Sequence, residues 1–171
     1  MDNDVSLRPI QEPDLESLSR FDTDPSALGE FEWTGFTDPR AVRRRWEADG
    51  WLGAESSRLA VVRSDGVVAG DVSWKDTSHG PAKAVCFEIG IALLPEHRGQ
   101  GMGTRAQRLL VQYLFDTTTV HRLEAYTEVE NIAEQRSLEK CGFEREGVLR
   151  EIYFRAGAWR DGVVYAQLRR T

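Results

Sequence analysis

The stretch "PEHRGQGMGTRAQRLL", residues 95–110, constrains this chain more than any other. Gly99, Gly101 and Gly103 alternate in it, and Ala106, Leu109, Leu110, Tyr113 and Leu114 then recur at i, i+3, i+4, i+7 and i+8. That spacing predicts an amphipathic helix that has to pack on a sheet. The runs on either side, "AVCFEIGIAL" and "HRLEAYTEV", are rich in strand formers. Strand, helix and strand in that order form a βαβ unit with two parallel strands.

The first amides of a helix lack an intrahelical acceptor, and the macrodipole adds about half a positive charge there. Glycines at 99, 101 and 103 remove Cβ atoms where an anion would approach those amides, and they permit positive φ. A phosphate-bearing ligand is the expectation. A nucleotide-hydrolysing loop would need Gly-Lys-Ser/Thr at the helix entry, and here Thr104 follows Gly103 with no lysine. A dinucleotide loop is spaced G-x-G-x-x-G directly after the first strand, whereas this one is G-x-G-x-G. Glu124 does lie about where a ribose-binding acid would, so a nucleotide-dependent oxidoreductase stays as an alternative.

Around this unit the chain alternates short strands and helices. "VSLRPI" and "EPDLESLSRF" read as a strand and a helix with Pro13 in its first turn, and a second helix starts near Pro39, where the Arg43 to Arg45 run is a solvated face or, in the other reading, binds a phosphate or acidic ligand. "RLAVVRSDGVVAGDVSWK" is a hairpin turning at Asp65-Gly66. "NIAEQRSLEKCGF" is a short helix capped by Asn131 and stopped at Gly142, and the tail "REGVLREIYF" and "AWRDGVVYAQLRR" gives two last strands. The fold class is therefore α+β (α/β): a mixed, mostly antiparallel sheet of six or seven strands, with a parallel pair about the glycine helix and helices on both faces.

The 171 residues are long enough to close one core, and no linker divides residues 1–171, which read as a single domain. A net charge of −6 argues against nucleic acid as partner and suits a cationic one. No apolar run of membrane length and no signal-peptide core occurs, so a cytoplasmic location is expected. There Cys86 and Cys141 should be unbridged thiols, and His79, His97 and His121 are too scattered to suggest a metal site.

"LLPEHRGQGMGTRA" resembles the pyrophosphate-loop motif of the GCN-related N-acetyltransferase (GNAT) superfamily, Q/R-x-x-G-x-G/A, through Arg98, Gly101 and Gly103. "EVENIAEQRSLEKCGFEREGVLRE", the opening "LRPIQEPDLESL" and the closing "AWRDGVVYAQL" resemble its RimJ/RimL-type branch, so the likeness spans nearly the whole chain. The resemblance implies acetyl-CoA as co-substrate, held in a splayed gap between the two parallel strands. Backbone groups of Ala92, Leu93 and Leu94 would pair with the pantetheine arm as with an added strand, Leu93 at the family's bulge aiming its amide at the thioester carbonyl. Amides from Arg98 through Gly99, Gln100, Gly101, Met102 and Gly103 to Thr104 would take the pyrophosphate, and Asn131 would contact the pantetheine or order water.

Acetyl transfer to an amine needs a neutral amine, a polarised carbonyl and a proton for the departing thiolate. On "VCFEIGIAL", alternation puts Cys86, Glu88, Gly90 and Ala92 on one face, where Glu88 is the single carboxylate among small residues. Glu88 is the candidate base; a structural or substrate-binding role is the other reading. Asn131 also opens a capping box with Glu134. Relatives place a Ser at the position of Glu134 or a Tyr at that of Leu138; lacking both, the chain offers only Ser137, Tyr126, Tyr153 and Cys141, and no acid is assigned. For the acceptor side, Phe31, Glu32, Trp33 and Trp46 offer aromatic walls and an acid, or are ordinary core. The expectation is an acetyl-CoA-dependent N-acetyltransferase of a primary amine, whether a protein N-terminus or a small molecule such as an antibiotic or polyamine. A non-catalytic acyl-CoA sensor on the same fold is the alternative, and a homodimer is left open.

Overall fold

The structure, a computed structural model, describes residues 4–32, 35–79 and 85–170. A strand Val5–Pro9 (β1) leads into four short helices, Asp14–Leu18 (α1), Arg20–Thr23 (α2), Pro25–Leu28 (α3) and Ala41–Asp49 (α4). The strands Ser56–Arg63 (β2), Val68–Asp76 (β3) and Cys86–Leu93 (β4) follow, then a 3-10 turn at Pro95–His97 and the long helix Met102–Thr117 (α5). Arg122–Glu128 (β5), Ile132–Lys140 (α6), Glu144–Arg155 (β6) and Ala158–Leu168 (β7) complete the chain. The single helix expected over "EPDLESLSRF" is divided at Ser19 into α1 and α2, and a third short helix follows. Asp24 turns extended after α2, and its carboxylate accepts from the Ser26 amide (2.9 Å) to cap α3 with Pro25 in the first turn.

The seven strands lie in the order β1-β2-β3-β4-β5-β7-β6, antiparallel except for β4 and β5. The parallel ladder holds for three pairs, Cys86↔Arg122, Phe87↔Leu123 and Glu88↔Glu124, although β4 runs on to Leu93. Beyond Glu88 the two strands part, and the expected gap opens there. On its other edge β4 stays paired with β3 from Asp76↔Phe87 to Gly70↔Leu93 with no register shift, so this ladder shows no bulge at Leu93. Gly70 permits that approach: a Cβ on it would stand 2.0 Å from the Ala92 carbonyl oxygen.

Each sheet face has its own core. On one, Ala106, Leu110 and Leu114 of α5 and Leu138 of α6 are fully buried against Val61, Val72 and Leu123. Tyr113, expected on that stripe, is 40% exposed and reaches Trp74 with ring centroids 5.9 Å apart. On the other face Leu15, Leu18, Phe21, Ala27 and Val42 of the first four helices pack on Ala60, Val62 and Leu94. Arg8 ties β1 to α1 through two bonds to Asp14 (2.6 and 2.9 Å). The arginines at 43, 44 and 45 meet Glu12, Asp38 and Asp49, as a solvated face would. Cys86 and Cys141 are unbridged and buried. Among the described residues no helix is long and apolar enough to cross a membrane.

Candidate active site

A groove of about 570 Å³ runs from the end of β4 over the glycine loop to α6. Gly99 (φ +71°) and Gly101 (φ +79°) occupy the left-handed region, and a Cβ on either would meet nothing within 4 Å. They turn the chain into α5 and leave room above its first amides, a cradle that fits a diphosphate. Gly103 differs, since it lies in the helix where a Cβ would rest in ordinary contact with Leu93 and Ile91. The Arg98 amide is engaged, donating to the Pro95 carbonyl (3.2 Å), so the cradle begins after it. Arg98 contributes as a strap: its Nε donates to the Leu93 carbonyl (2.7 Å) and its Nη2 to the Ala27 carbonyl of α3.

The strand end is likewise more committed than the resemblance implied. The Leu93 carbonyl is taken by Arg98, and the Leu94 amide donates to Ala69 (2.9 Å). Ala92 and Leu93 line the groove, whereas Leu94 is buried in the core facing α1–α4. Met102 buries its side chain in the main core and Gln100 donates to the Glu96 carbonyl (3.0 Å), so neither side chain lines the groove. Thr104 does, sharing a 2.9 Å hydrogen bond with Ser137.

A second cavity of about 530 Å³ joins the groove at Ile91, Ala92, Asn131, Glu32 and Glu134 and lies between the sheet and the first helices. Among the described residues six carboxyls line it, Asp22, Glu32, Asp71, Glu88, Glu128 and Glu134, against the guanidiniums of Arg45 and Arg58. Phe21, Phe31, Trp51, Tyr126 and Tyr153 supply aromatic wall. Trp46 is not part of it, because its indole donates to the Ile10 carbonyl (3.0 Å) within the core. Trp33 lies outside the described residues.

Glu88 stands on the cleft face of β4 as alternation predicts, but it is not solitary: Lys75, opposite it on β3, places Nζ 3.1 Å away. Asp71 is 3% exposed, and its Oδ2 has no hydrogen bond among the described residues; Arg58, 3.6 Å away, is too far to make one. Burial pushes the Asp71 carboxyl up and Arg58 only partly opposes it. Glu32 is pushed up to about 7, first by the crowding of the cleft and then by the negative charges of Glu134 and Asp71. Glu32 itself stays exposed to water at the mouth of the cleft.

Asn131 caps α6, its Oδ1 accepting from the Glu134 amide (3.2 Å), yet the capping box is half made. The Asn131 amide donates instead to the Glu128 carbonyl (3.0 Å), and the Glu134 carboxyl accepts from Gln107 Nε2 (2.5 Å). Burial holds the Glu134 carboxyl above the usual range. Of the four other acids considered, Ser137 donates to Gln107 (2.6 Å) and Tyr126 to Glu124 (3.0 Å). Burial pushes Tyr153 up to about 12 and Cys141 up to about 11.

Glu124 is no ribose ligand. It is 2% exposed and accepts from Arg122 (2.5 Å), His79 (3.0 Å) and Tyr126 (3.0 Å). His79 Nε2, Cys86 Sγ and a Glu124 oxygen lie within 4.8 Å of one another, a grouping that sequence spacing did not suggest, and Arg122 already supplies the positive charge there.

Residues 4–144 match the family model described as the acetyltransferase (GNAT) domain. The chain is 30% identical to the spermidine N(1)-acetyltransferase of Escherichia coli K12 over 161 residues, 93% of this chain and 83% of that one. The fold superposes on Mycobacterium smegmatis RimJ in complex with CoA-disulfide with a TM-score of 0.78 at 27% identity, covering 96% of this chain and 81% of that one. It superposes on Vibrio cholerae spermidine N-acetyltransferase in complex with CoA and spermine with a TM-score of 0.82 at 20% identity, covering 96% and 95%.

Proposed function

The chain belongs to the GNAT acetyltransferase family, and from that premise we propose that it transfers an acetyl group from acetyl-CoA to a primary amine of a small, multiply cationic acceptor. The observation that carries the acceptor class is the acid excess of the cleft, above all the buried Asp71 oxygen that lacks a hydrogen bond. A buried carboxyl oxygen without a hydrogen bond is costly even with Arg58 3.6 Å away, and an ammonium seated there would relieve it. A protein N-terminus brings one ammonium on a peptide body, whereas a diamine or polyamine brings a second for Asp71. The spermidine acetyltransferases among the relatives agree with this reading.

Acetyl-CoA supplies an activated acyl carbon at a thioester. The cradle from Gly99 to Thr104 would hold its diphosphate, and Ala92, Leu93 and Asn131 would flank its arm beside the parted strands. From the acceptor side Glu88, directly or through one water, takes the proton that the neutral amine sheds as it attacks, with Lys75 stabilising the carboxylate between turnovers. Glu32 at the junction steers the cationic acceptor toward the acyl carbon. Residues 1–171 act in this reading as one catalytic domain of RimJ/RimL type in the cytoplasm, without nucleic acid or membrane as partner, and a homodimer is compatible with it.

The test is acceptor-dependent release of CoA with spermidine, spermine and putrescine set against short peptides with free N-termini. Polyamines should turn over faster, and Asp71→Asn should raise KM for spermidine at least tenfold, the loss of about 1.4 kcal/mol, while acetyl-CoA affinity holds. Faster turnover of the peptides, or an unchanged KM, refutes the acceptor assignment.

A further inference from the structure

Two carboxyls, Glu32 and Glu134, stand where the acceptor cleft meets the cofactor groove and line both; Glu88 and Asp71 line the cleft alone. A group that protonates the departing sulfur has to work at that junction, because the amine reaches the acyl carbon from one side and coenzyme A leaves from the other.

The surroundings of Glu134 fix which of its oxygens can carry a proton. Gln107 on α5 is 1% exposed, and its side-chain oxygen accepts from the Ser137 hydroxyl at 2.6 Å. Its nitrogen is thereby turned toward Glu134, donating to Oε1 at 2.5 Å. An oxygen that accepts this bond stays unprotonated, so the neutral acid carries its hydrogen on Oε2. A complete capping box would have folded the carboxyl back on its own helix. The Asn131 amide is satisfied by Glu128 instead, and the carboxyl is left to the cavity wall.

We propose that Glu134 is the general acid of the transfer, giving its Oε2 proton to the sulfur of coenzyme A as the carbon–sulfur bond breaks. This rests on the transfer reaction of the family and not on the choice of acceptor. The amine forms the carbon–nitrogen bond, and the carbon–sulfur electron pair leaves on sulfur. The Glu134 proton converts that pair to a free thiol and leaves a carboxylate. The acceptor's ammonium first gives its extra proton to solvent; the proton then shed by the attacking neutral amine passes to Glu88, and solvent reprotonates Glu134 and deprotonates Glu88, so from the neutral amine onward the cycle closes without net acid or base.

Burial favours the neutral acid and outweighs the Gln107 bond that opposes it. Glu32 shares the junction with Glu134, with Asp71 beyond it, Arg98 and Arg58 act on Glu32 from the glycine loop and β2, and Cys141 lies just past α6. Tyr126 and Tyr153 line the cleft and not the cofactor groove, and Tyr126 donates to Glu124. Ser137 has its hydrogen committed to Gln107, and the Cys141 thiol donates to the Thr104 carbonyl inside the core.

The experiment compares the whole wild-type protein with Glu134→Gln, following CoA release from saturating acetyl-CoA between about pH 6 and 9, with spermidine and without any acceptor, and measuring CoA affinity by calorimetry. The glutamine keeps the bond to Gln107 and lacks the acid. It should lower kcat by about a hundredfold, the usual size of a general-acid contribution, with CoA affinity within about threefold. Wild-type kcat should fall as pH rises through the Glu134 pKa, and Glu134→Gln should abolish that fall. A glutamine variant with kcat within threefold of wild type overturns the assignment, as does a loss of kcat matched by an equal loss of CoA affinity. Should wild type ignore spermidine but release CoA to water, the acceptor class fails, while the same comparison on that release still decides on Glu134. Should Glu134→Gln not fold, Glu134→Asp takes its place: the acid is retracted by one methylene, so a lowered kcat that keeps its alkaline fall supports the role and an unchanged kcat refutes it.

Discussion

Replacing Gly101 by alanine separates the cradle's use from its contribution to folding. At φ +79° an L side chain costs about 1–2 kcal/mol, part of which is recovered because alanine narrows the unfolded ensemble by about 0.4–1 kcal/mol. The new methyl meets nothing within 4 Å, so no clash adds to this, and the net loss is about 1 kcal/mol. In a chain of this length that lowers Tm by about 2–4 °C. Gly101 is nonetheless the N-cap of α5 and lines the groove where the diphosphate is proposed to sit, so the methyl takes up space there. Losing one charge-assisted contact costs about 1.5–3 kcal/mol, or roughly a 10- to 150-fold weaker Kd. Thermal melting and calorimetric titration with acetyl-CoA read the two effects separately. Gly70→Ala should do the reverse, since its Cβ would stand 2.0 Å from the Ala92 oxygen, with backbone that cannot give way without parting β3 from β4. A Gly101→Ala protein that binds acetyl-CoA within twofold of wild type refutes the cradle. A melting temperature lower by ten degrees or more refutes the claim that the space above it is open.

Other outcomes follow from burial and charge. Leu110→Ala, at a fully buried site in the main core, should cost about 2–5 kcal/mol by denaturant unfolding; a loss under about 1 kcal/mol would deny its place there. Burial raises Asp14, but the Arg8 hydrogen bonds and the Gln11 amide outweigh it and leave the carboxyl below its usual range. Its stabilisation is thus present above about pH 4 and lost as pH falls further, and Asp14→Asn should flatten that acid limb in melts followed by circular dichroism. Glu32 is shifted the opposite way, so the folded state favours its neutral form and loses stability as pH rises through about 7. Glu32→Gln should therefore melt higher than wild type at about pH 8 and not at about pH 5; equal shifts at both would refute the upward direction.

The glycine helix and the parallel pair were legible because their signals are local: left-handed glycines, a 3.6-residue stripe, strand formers on either side. Glu88 on the cleft face followed from alternation alone. What stayed hidden depends on partners far away in sequence. Nothing in "EIG" announces that Lys75 lies opposite Glu88, since register is set by the whole β3–β4 ladder. The capping-box pattern at Asn131 and Glu134 was read correctly as a cap but not as a half-made one, because Gln107 takes the carboxyl and Glu128 the amide that the missing half would have joined. Trp46 was offered as acceptor wall, yet Trp51 is the one that lines the cleft, under Arg58; both pack on the same core, the indole of the first donating to Ile10 and that of the second to Val42. Gly70 had a possible signal in being a glycine inside a strand pattern, which marks close backbone approach.

The Arg98 strap has a consequence for how the two halves of the site know of each other. One guanidinium holds the Leu93 carbonyl on the cofactor side and the Ala27 carbonyl at the end of α3, just before the segment that carries Phe31 and Glu32 on the acceptor side. A ligand that stills the glycine loop therefore also stills the entrance through which the other substrate arrives. Linkage makes such an effect mutual: by whatever factor the bound cofactor improves the grip on the amine, the bound amine improves the grip on the cofactor. With this single side chain shortened, the two substrates would bind as strangers.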